Sequence, residues 1–357
     1  MRGRQVAVAI RLALATWVGI FSFARLSHAQ EKPSIGAWAN VTNNVGGEKW
    51  GYAGVTTMAA VPGSGDIIAG VSEAGLWLSA DNGKTWKKLG EKDAEQIRNR
   101  PYQIVFDPAD PKIFWESGNY NGPGVFKTTD AGQTFVPLGK VIHVDGIGVD
   151  FTDPDRKTLL IGHHEQERSI EKSSDGGQTW QKIGDKLPDK TNFSSDVIVF
   201  DARCYDVNTA GWKQDGGKQL PFAIYRTDDA GATWAKVSDS GPNGPACVAA
   251  DGTIYWQTLW AAGLIKSSDH GKSWEKLPGP AKANPIEITG GKLVVPIERQ
   301  LFESADGGKT WEKLGPEIPF KPNGIIFSAK AHAIYAWRST EAKEDGVIVR
   351  WEITPSP

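Results

Sequence analysis

Two aspartates and a tyrosine are candidates for chemistry because each stands at the same place in an apolar segment that closes on Asp. The three closing residues are Asp107, Asp150 and Asp201. Five residues before them, in the same order, stand Tyr102, Asp145 and Asp196. Two carboxylates held roughly 5–10 Å apart in unlike environments are what glycoside hydrolysis needs. We therefore predict that Asp145 and Asp196 act as an acid–base pair on a glycosidic bond.

Histidine and arginine are concentrated in the same part of the sequence. Three of the six histidines lie there, at 143, 163 and 164, and two arginines precede Tyr102. A histidine can abstract a proton next to a uronate carboxylate that an arginine neutralises. The residues predicted to assist catalysis are His143, His163 and Tyr102, and those predicted to bind substrate are Arg98, Arg100, His164 and Glu165.

A divalent metal is the third chemistry that these residues allow. His143, His163, His164 and Glu165 carry suitable nitrogen and oxygen ligands. Adjacent residues of a strand point to opposite faces, however, so His163 and His164 are not expected to face one ion. We predict no metal in this site and no cofactor, and leave open a Ca²⁺ ion bound by loop carboxylates.

Tryptophans at or near loops are candidates for sugar binding. Flat aromatic rings can stack on sugar faces, although packing between sheets is the commoner role of Trp in a chain of this kind. We predict substrate contacts from Trp212, Trp260 and Trp337. Segment 209–221 carries Trp212 and is long enough to arch over a binding face.

The elements that must position these residues are encoded by six copies of one pattern, S/T-x-D-x-G-x-T/S-W/F. Its Asp can cap N–H groups in a turn, its Gly can take a positive φ, and its aromatic can wedge between neighbouring sheets. Six copies in register indicate a repeated structural unit. The aspartates predicted to be structural are Asp81, Asp130, Asp175, Asp229, Asp269 and Asp306.

The spacing of the copies predicts the fold. Successive aspartates are 37 to 54 residues apart, close to the roughly 40–50 residues of a four-stranded propeller blade. After the sixth copy, strand-like segments follow at 325–327, 333–336 and 347–351, and the N-terminal segment 36–41 supplies a fourth strand. The sequence thus predicts an all-β, seven-bladed β-propeller whose ring is closed by the N-terminal strand in the last blade.

The six copies, each ending in an aromatic residue, resemble the Asp-box (BNR) repeats of the sialidase-type β-propeller superfamily. The resemblance covers nearly the whole chain after residue 29 and implies the propeller fold, with ligand sites on the face opposite the boxes. Families with such boxes include sialidases, xyloglucan hydrolases, polysaccharide lyases, sortilin-like receptors and YCF48-like photosystem-assembly factors. Fold alone does not choose among these functions.

True sialidases are not a close match. The early F/Y-R-I-P motif is absent, and Arg98 and Arg100 alone do not make the three-arginine cluster that the sialidase resemblance would require. Segments 38–47 and 106–111 look like the corresponding pieces of xyloglucan hydrolases, which are similar to two such propellers in tandem. The YCF48-like factors are similar to this chain in size.

The N-terminus and the charge balance set further expectations. Residues 1–29 have arginines before an apolar stretch and end in Ser27-His28-Ala29, as a signal peptide does. We therefore predict that residues 30–357 form a single propeller domain, secreted or periplasmic. Without the four arginines of the signal, 36 basic and 42 acidic residues remain, which argues against a nucleic-acid partner. We also expect a monomer with no membrane span.

The two cysteines give no clear disulfide. Export permits a disulfide, but the expected strand order places Cys204 and Cys247 at opposite ends of neighbouring blades. Their redox state stays open.

Two classes of function follow from these residues. The leading hypothesis is a secreted carbohydrate-active enzyme, a glycoside hydrolase first and a polysaccharide lyase second, which acts on a polysaccharide or oligosaccharide at the mouth of the central channel. The alternative is a non-catalytic propeller that binds a glycan or a protein, or assists assembly. An enzyme would bring the predicted residues within about 10 Å of one pocket, whereas a scaffold would leave them scattered.

Overall fold

The chain folds into seven four-stranded antiparallel sheets and one short two-stranded ribbon. The predicted seven-bladed β-propeller is therefore confirmed. The computed structural model describes residues 37–93, 96–188, 196–209, 214–215, 218–219, 223–258, 263–279, 283–340 and 346–353. Within these ranges the helical structure is a single 3₁₀ turn, Gly184–Lys186. No helix in the described part of the chain has the length and apolar character needed to cross a bilayer.

Each blade contains four strands that follow one another across the sheet. The first three blades consist of β2 (Val55–Ala60), β3 (Ile67–Val71), β4 (Gly75–Ser79) and β5 (Lys87–Lys88); β6 (Arg100–Phe106), β7 (Phe114–Asn119), β8 (Val125–Thr128) and β9 (Val136–Pro137); and β10 (Val144–Val149), β11 (Leu159–His163), β12 (Ile170–Ser173) and β13 (Gln181–Lys182). Strand β10 contacts β6 and the first strand of the fourth blade, β14 (Val197–Val199), and β2 contacts β6 and the first strand of the seventh blade, β28 (Gly324–Ser328). The first strands of the blades therefore line the centre of the ring.

The remaining blades repeat this order, with one insertion and one change of strand source. Their strands are β14 (Val197–Val199), β15 (Tyr205–Thr209), β18 (Ala223–Thr227) and β19 (Ala235–Ser238); β20 (Cys247–Val248), β21 (Ile254–Gln257), β22 (Leu264–Ser267) and β23 (Glu275–Lys276); β24 (Ile286–Ile288), β25 (Lys292–Ile297), β26 (Gln300–Ser304) and β27 (Glu312–Leu314); and β28 (Gly324–Ser328), β29 (Ala333–Trp337), β30 (Ile348–Glu352) and β1 (Ala39–Asn40). The inserted ribbon pairs β16 (Gln214–Asp215) with β17 (Lys218–Gln219).

Burial explains why the sequence alternates apolar and charged segments. The second strands β11 and β29 are buried at every residue, because sheets cover both of their faces. The fourth strands β13 and β23 are exposed at both residues and carry Gln, Glu and Lys. Apolar second strands and polar fourth strands are thus the signature of one blade.

Both ends of the described chain lie in the seventh blade. Ala39 pairs with Arg350, and Asn40 pairs with Val349, so β1 forms the outer strand beside β30. Trp38 Nε1 donates a 3.1 Å hydrogen bond to the carbonyl oxygen of Pro316 in the sixth blade. The same indole lies 6.0 Å from the ring of Trp351.

The Asp boxes are held by local hydrogen bonds. In the second blade, Asp130 Oδ1 accepts from the Thr128 hydroxyl at 2.8 Å and from the Thr134 N–H at 2.9 Å, and Oδ2 accepts from the Thr134 hydroxyl at 2.7 Å. Gly132 follows at φ 81°, and a Cβ there would come 2.8 Å from Leu89 of the first blade. In the third blade, the N–H and the hydroxyl of Thr179 donate the corresponding hydrogen bonds to Asp175. These bonds lower the pKa of Asp175 from 3.8 to about 2.

One carboxyl group lies inside the second blade. Glu116 on β7 is fully buried, and its Oε2 accepts a 3.3 Å hydrogen bond from Asn99 Nδ2. Burial raises the pKa of Glu116 from its ordinary value of 4.5 to about 8. The side chain is therefore protonated at neutral pH.

Removing one box carboxylate should weaken the fold locally. Asp130→Ala deletes three accepted hydrogen bonds, and we expect a loss of about 1–2 kcal/mol in the free energy of unfolding, measured by urea denaturation. Asp155→Ala is the control, because Asp155 forms only an exposed ion pair with Lys157. A loss no larger than that of the control would contradict the structural role of the box.

The buried Glu116 should make stability depend on pH. Between about pH 4.5 and about pH 8 the folded state keeps a proton that the unfolded chain releases, so stability should fall as the pH rises through this range. Glu116→Gln should reduce this slope when unfolding is measured at both ends of the range. The exposed Glu312→Gln should keep the wild-type slope, and equal slopes in all three proteins would show that Glu116 does not titrate as described.

Candidate functional site

The candidate residues lie on the face opposite the Asp boxes. Arg100 pairs with Asn119 where β6 begins and β7 ends. At the other end of β7, Phe114 pairs with Thr128, which ends β8 and is the first residue of the Asp box. In the third blade, Val144 at the start of β10 pairs with His163 at the end of β11. The starts of first strands and the ends of second strands therefore meet at one face.

Asp145 lies at the centre of this arrangement. It is fully buried, its Oδ1 accepts a 2.6 Å hydrogen bond from Asn119 Nδ2, and its Oδ2 lies 2.9 Å from His164 Nδ1. The Ser117 hydroxyl donates to its main-chain oxygen at 2.6 Å. Both carboxylate oxygens thus have partners, one of them from the neighbouring second blade.

Asp196 is the second buried carboxyl group and is 2 % exposed. Its Oδ1 accepts from the Tyr102 hydroxyl at 2.9 Å, and its Oδ2 accepts from Asn208 Nδ2 at 3.3 Å. Burial first, and then the negative charge of Asp145, raise the pKa of Asp196 from 3.8 to about 7. The predicted pair therefore interacts electrostatically, and Asp196 carries a proton for part of the time at neutral pH.

His164 connects Asp145 to a residue near the surface. An ionised Asp145 carboxylate can only accept, so His164 Nδ1 donates to it. In the neutral ring, Nε2 is then an acceptor. Nε2 lies 3.2 Å from the Tyr120 hydroxyl. Tyr120 is 37 % exposed, so the chain of contacts ends at a phenol that solvent reaches. We call Tyr102, Asn119, Tyr120, Asp145, His164 and Asp196 the polar cluster.

Arg100 flanks the polar cluster. Its guanidinium lies 4.8 Å from the centre of the Tyr120 ring and 5.6 Å from that of Tyr52. The two tyrosine rings meet edge to face at 6.2 Å. A pocket of about 240 Å³ opens here, and Glu73 is on its wall.

Several residues predicted from the sequence are placed away from the polar cluster. His163 bonds through Nδ1 to the Ile142 carbonyl and lies 3.4 Å from Glu171, because it points to the other face of β11 from its neighbour His164. Trp337 is 8 % exposed in the core between the last and first blades. Arg98 lines a neighbouring pocket with Lys88 and Gln96, which shares Glu73 and Asn121 with the pocket beside Arg100.

Two predicted residues border the polar cluster. The ring of His143 lies 5.8 Å from that of Tyr120, edge to face. Glu165 Oε1 is 3.7 Å from His164 Nε2 in an exposed position. Trp212 and Trp260 lie outside the described residues.

The sequence prediction missed the partners from second strands. Asn119 ends β7 and Tyr120 follows it, just as His163 ends β11 and His164 follows it. Asn208 stands near the end of β15. Their signal in the sequence is their position at or near the ends of second strands, as for His163 and His164. Tyr52 lies in a loop before β2 with no sequence signal of its own.

The described residues hold no group of three or more His, Cys, Asp or Glu side chains suited to a metal ion. Cys204 and Cys247 are both free thiols. The Cys204 thiol donates to Asp228 Oδ1 at 3.3 Å.

The fold and the cluster define this chain as a seven-bladed propeller with a buried polar site opposite its Asp boxes. No family model matches it. It is 24% identical over 296 residues to xyloglucanase Xgh74A of Acetivibrio thermocellus, a match that covers 69% of this chain and 35% of that relative. The chain thus spans about a third or less of the length of the curated relatives it matches.

Solved structures agree on the architecture. The GH74 xyloglucanase from Xanthomonas campestris has a TM-score of 0.55 at 18% identity, with 88% of this chain and 55% of that chain covered. The structure of YCF48 bound to D1 peptide also gives 0.55, at 16% identity, with 90% and 100% covered. At these identities the likeness shows the fold alone, and for the fold it confirms the predicted resemblance to xyloglucan-hydrolase and YCF48-like propellers.

The pKa of Asp196 should respond in opposite directions to its two neighbours. Tyr102→Phe removes a hydrogen bond to the carboxylate and should raise this pKa, whereas Asp145→Asn removes a negative charge and should lower it. Carbon-13 NMR titration of labelled aspartate carboxyl groups measures both shifts. Tyr225→Phe, in the third strand of the fourth blade, is the control, and shifts of one sign in both variants would refute the described contacts.

Proposed function

We propose that this chain is a secreted carbohydrate-active enzyme that cleaves a polysaccharide or glycoside on the face opposite the Asp boxes. The observation that carries the proposal is the chain of contacts from Asp145 through His164 to the hydroxyl of Tyr120. It joins a buried carboxylate to a phenol that a bound sugar can touch. Residues 1–29 serve as the export signal in this proposal.

The three residues divide the work of a general base. Asp145 fixes the His164 ring and stabilises a positive charge on it, as the carboxylate does in other Asp–His pairs. His164 Nε2 accepts the phenolic proton of Tyr120. Tyr120 is then the catalytic residue that contacts the substrate, and the buried Asp145 is a positioning residue.

Asp196 supplies the acid function. Its raised pKa, about 7, matches an acid that works near neutral pH. Because Asp196 is only 2 % exposed, its proton passes through the hydroxyl of the half-buried Tyr102. Two groups in unlike environments thus provide a base and an acid on one face of the propeller.

Sequence similarity supports a polysaccharide substrate. The match over 69% of the chain is to a relative that is named a xyloglucanase. This chain forms one propeller and spans about a third of that relative's length.

A second candidate is a non-catalytic propeller that binds a glycan or a peptide. Two observations favour it: Asp145 and Asp196 are 0 % and 2 % exposed, and the chain covers the whole of the YCF48 structure, which is bound to a peptide. A binding protein would use Tyr52, Arg100 and Tyr120 at the surface and keep the carboxylates as internal support.

Activity assays separate the two candidates. We expect residues 30–357 to cleave at least one member of a panel of neutral and uronic-acid polysaccharides. Tyr120→Phe and Asp145→Asn should each lower kcat/KM by about 100-fold or more, the usual contribution of a general base. Reducing ends and the ultraviolet absorbance of unsaturated products are followed together.

The readouts distinguish the reaction types and the alternative. Reducing ends without the absorbance mean hydrolysis, and both signals together mean elimination. Tyr225→Phe removes a phenol oxygen in the fourth blade and should retain wild-type kcat/KM. If no member of the panel is cleaved but a glycan or peptide still binds, the enzyme proposal is wrong and the binding-protein candidate takes its place.

A further inference from the structure

The pocket between Tyr52 and Tyr120 contains a cation without an anionic partner. Among the residues that the structure describes, no carboxylate lies within ion-pair distance of the Arg100 guanidinium, which lies over the two aromatic rings. Glu73 is the acid on the pocket wall, and its Oε1 accepts a 3.2 Å hydrogen bond from Asn121 Nδ2. The fork of N–H donors on Arg100 is therefore available to an anion from solution.

The surroundings of Arg100 suit a sugar. Tyr52 is 57 % exposed and Tyr120 is 37 % exposed, so two aromatic surfaces face the solvent beside one positive charge. The volume of about 240 Å³ lies below the roughly 300–1,000 Å³ of sites for drug-sized ligands. It therefore fits one sugar residue of a longer chain.

We propose that this pocket binds the carboxylate of a uronic acid residue, that the substrate is an acidic polysaccharide, and that the reaction is an elimination. This inference rests on the proposed function and names its substrate class and reaction type. A planar carboxylate accepts two parallel N–H bonds from a guanidinium. The guanidinium also withdraws negative charge from the carboxylate, which makes the proton on the α carbon of the sugar easier to remove.

The groups needed for elimination lie next to this carboxylate site. The Tyr120 hydroxyl gives its proton to His164 Nε2, and the phenolate removes the proton of the α carbon. The bond between the β carbon and the bridging oxygen breaks, a double bond forms between the α and β carbons, and the electron pair leaves with the oxygen. Asp196 protonates this oxygen through the Tyr102 hydroxyl, and the proton that His164 took from Tyr120 passes through solvent back to Asp196. No water or co-reactant is consumed.

Tyr120 contributes to both parts of the proposal. Its ring lies 4.8 Å from the Arg100 guanidinium, and its hydroxyl lies 3.2 Å from His164 Nε2. A carboxylate bound by Arg100 therefore places its α carbon beside the base. A neutral sugar in the same pocket would have neither the anchor nor the acidic proton.

Binding is tested first, with oligogalacturonate, oligomannuronate and oligoglucuronate as probes, each compared with the same oligosaccharide after its carboxylates have been reduced to alcohols. Isothermal titration with Tyr120→Phe prevents turnover during the measurement. We expect at least one oligouronate to bind about 10- to 100-fold more tightly than its reduced form, the range for a charge-assisted hydrogen-bonded pair. Arg100→Gln should remove this difference.

Arg203→Gln is the matched control, because Arg203 is exposed in the turn between β14 and β15 at the Asp-box end of the fourth blade. It should change the dissociation constant by less than about twofold. Equal binding of the reduced oligosaccharide, or equal losses in both arginine variants, would overturn the inference. Displacement of the oligouronate by a glutamate peptide of equal charge at the same concentration would overturn the assignment to a sugar.

Cleavage assays keep this inference separate from the proposed function. Unsaturated product from an acidic polysaccharide, lost in Arg100→Gln and kept in Arg203→Gln, supports both. Hydrolysis of neutral polysaccharides that does not depend on Arg100 would overturn the inference and leave the proposed function standing. Arg100-dependent binding of an oligouronate without any cleavage would support the carboxylate site and refute the elimination and the enzyme together.

Discussion

The close approach of neighbouring blades at the Asp boxes is the contact on which the ring depends. Each blade has two apolar faces that its own strands cannot cover, and they are buried only where adjacent blades meet. At four of these junctions the box glycine lies against an aliphatic side chain of the preceding blade. A Cβ on the glycine would come within 2.8 Å in the pairs Gly132–Leu89, Gly177–Leu138, Gly231–Ile183 and Gly308–Leu277. A side chain there would force the neighbour to move, and the positive φ of each of these glycines would add backbone strain.

The same ring forces polar groups from different blades together on the opposite face. Asp145 of the third blade is bound by Asn119 of the second, and Asp196 of the fourth is bound by Tyr102 of the second. Burying a carboxylate costs several kcal/mol unless partners replace its water. Burial and the negative charge of Asp145 together raise the pKa of Asp196, so its partners offset only part of the cost of burying a charge there.

Backbone conformation marks this face as well. Tyr120, His143 and Glu165, which lie around His164, have φ values of 67°, 55° and 55°. Side chains other than glycine rarely adopt this region, and each such residue costs of order 1 kcal/mol that the surrounding structure must offset. The strained positions follow second strands or precede first strands, where chain direction must change sharply. These turns aim the Tyr120 and His143 rings at each other.

The sequence by itself determined the seven-bladed propeller. A box closes within a few residues, as Asp130 shows with Thr128 and Thr134, so its pattern is readable in any one copy and its period sets the blade. The sequence also placed Tyr102, Asp145 and Asp196 on one face, because first strands share one register. Only the tertiary structure decided that His164 and not His163 reaches Asp145, and that Asn119 and Tyr120 join them. Those contacts cross between blades, and their partners depend on the twist and spacing of whole sheets, which no local pattern encodes.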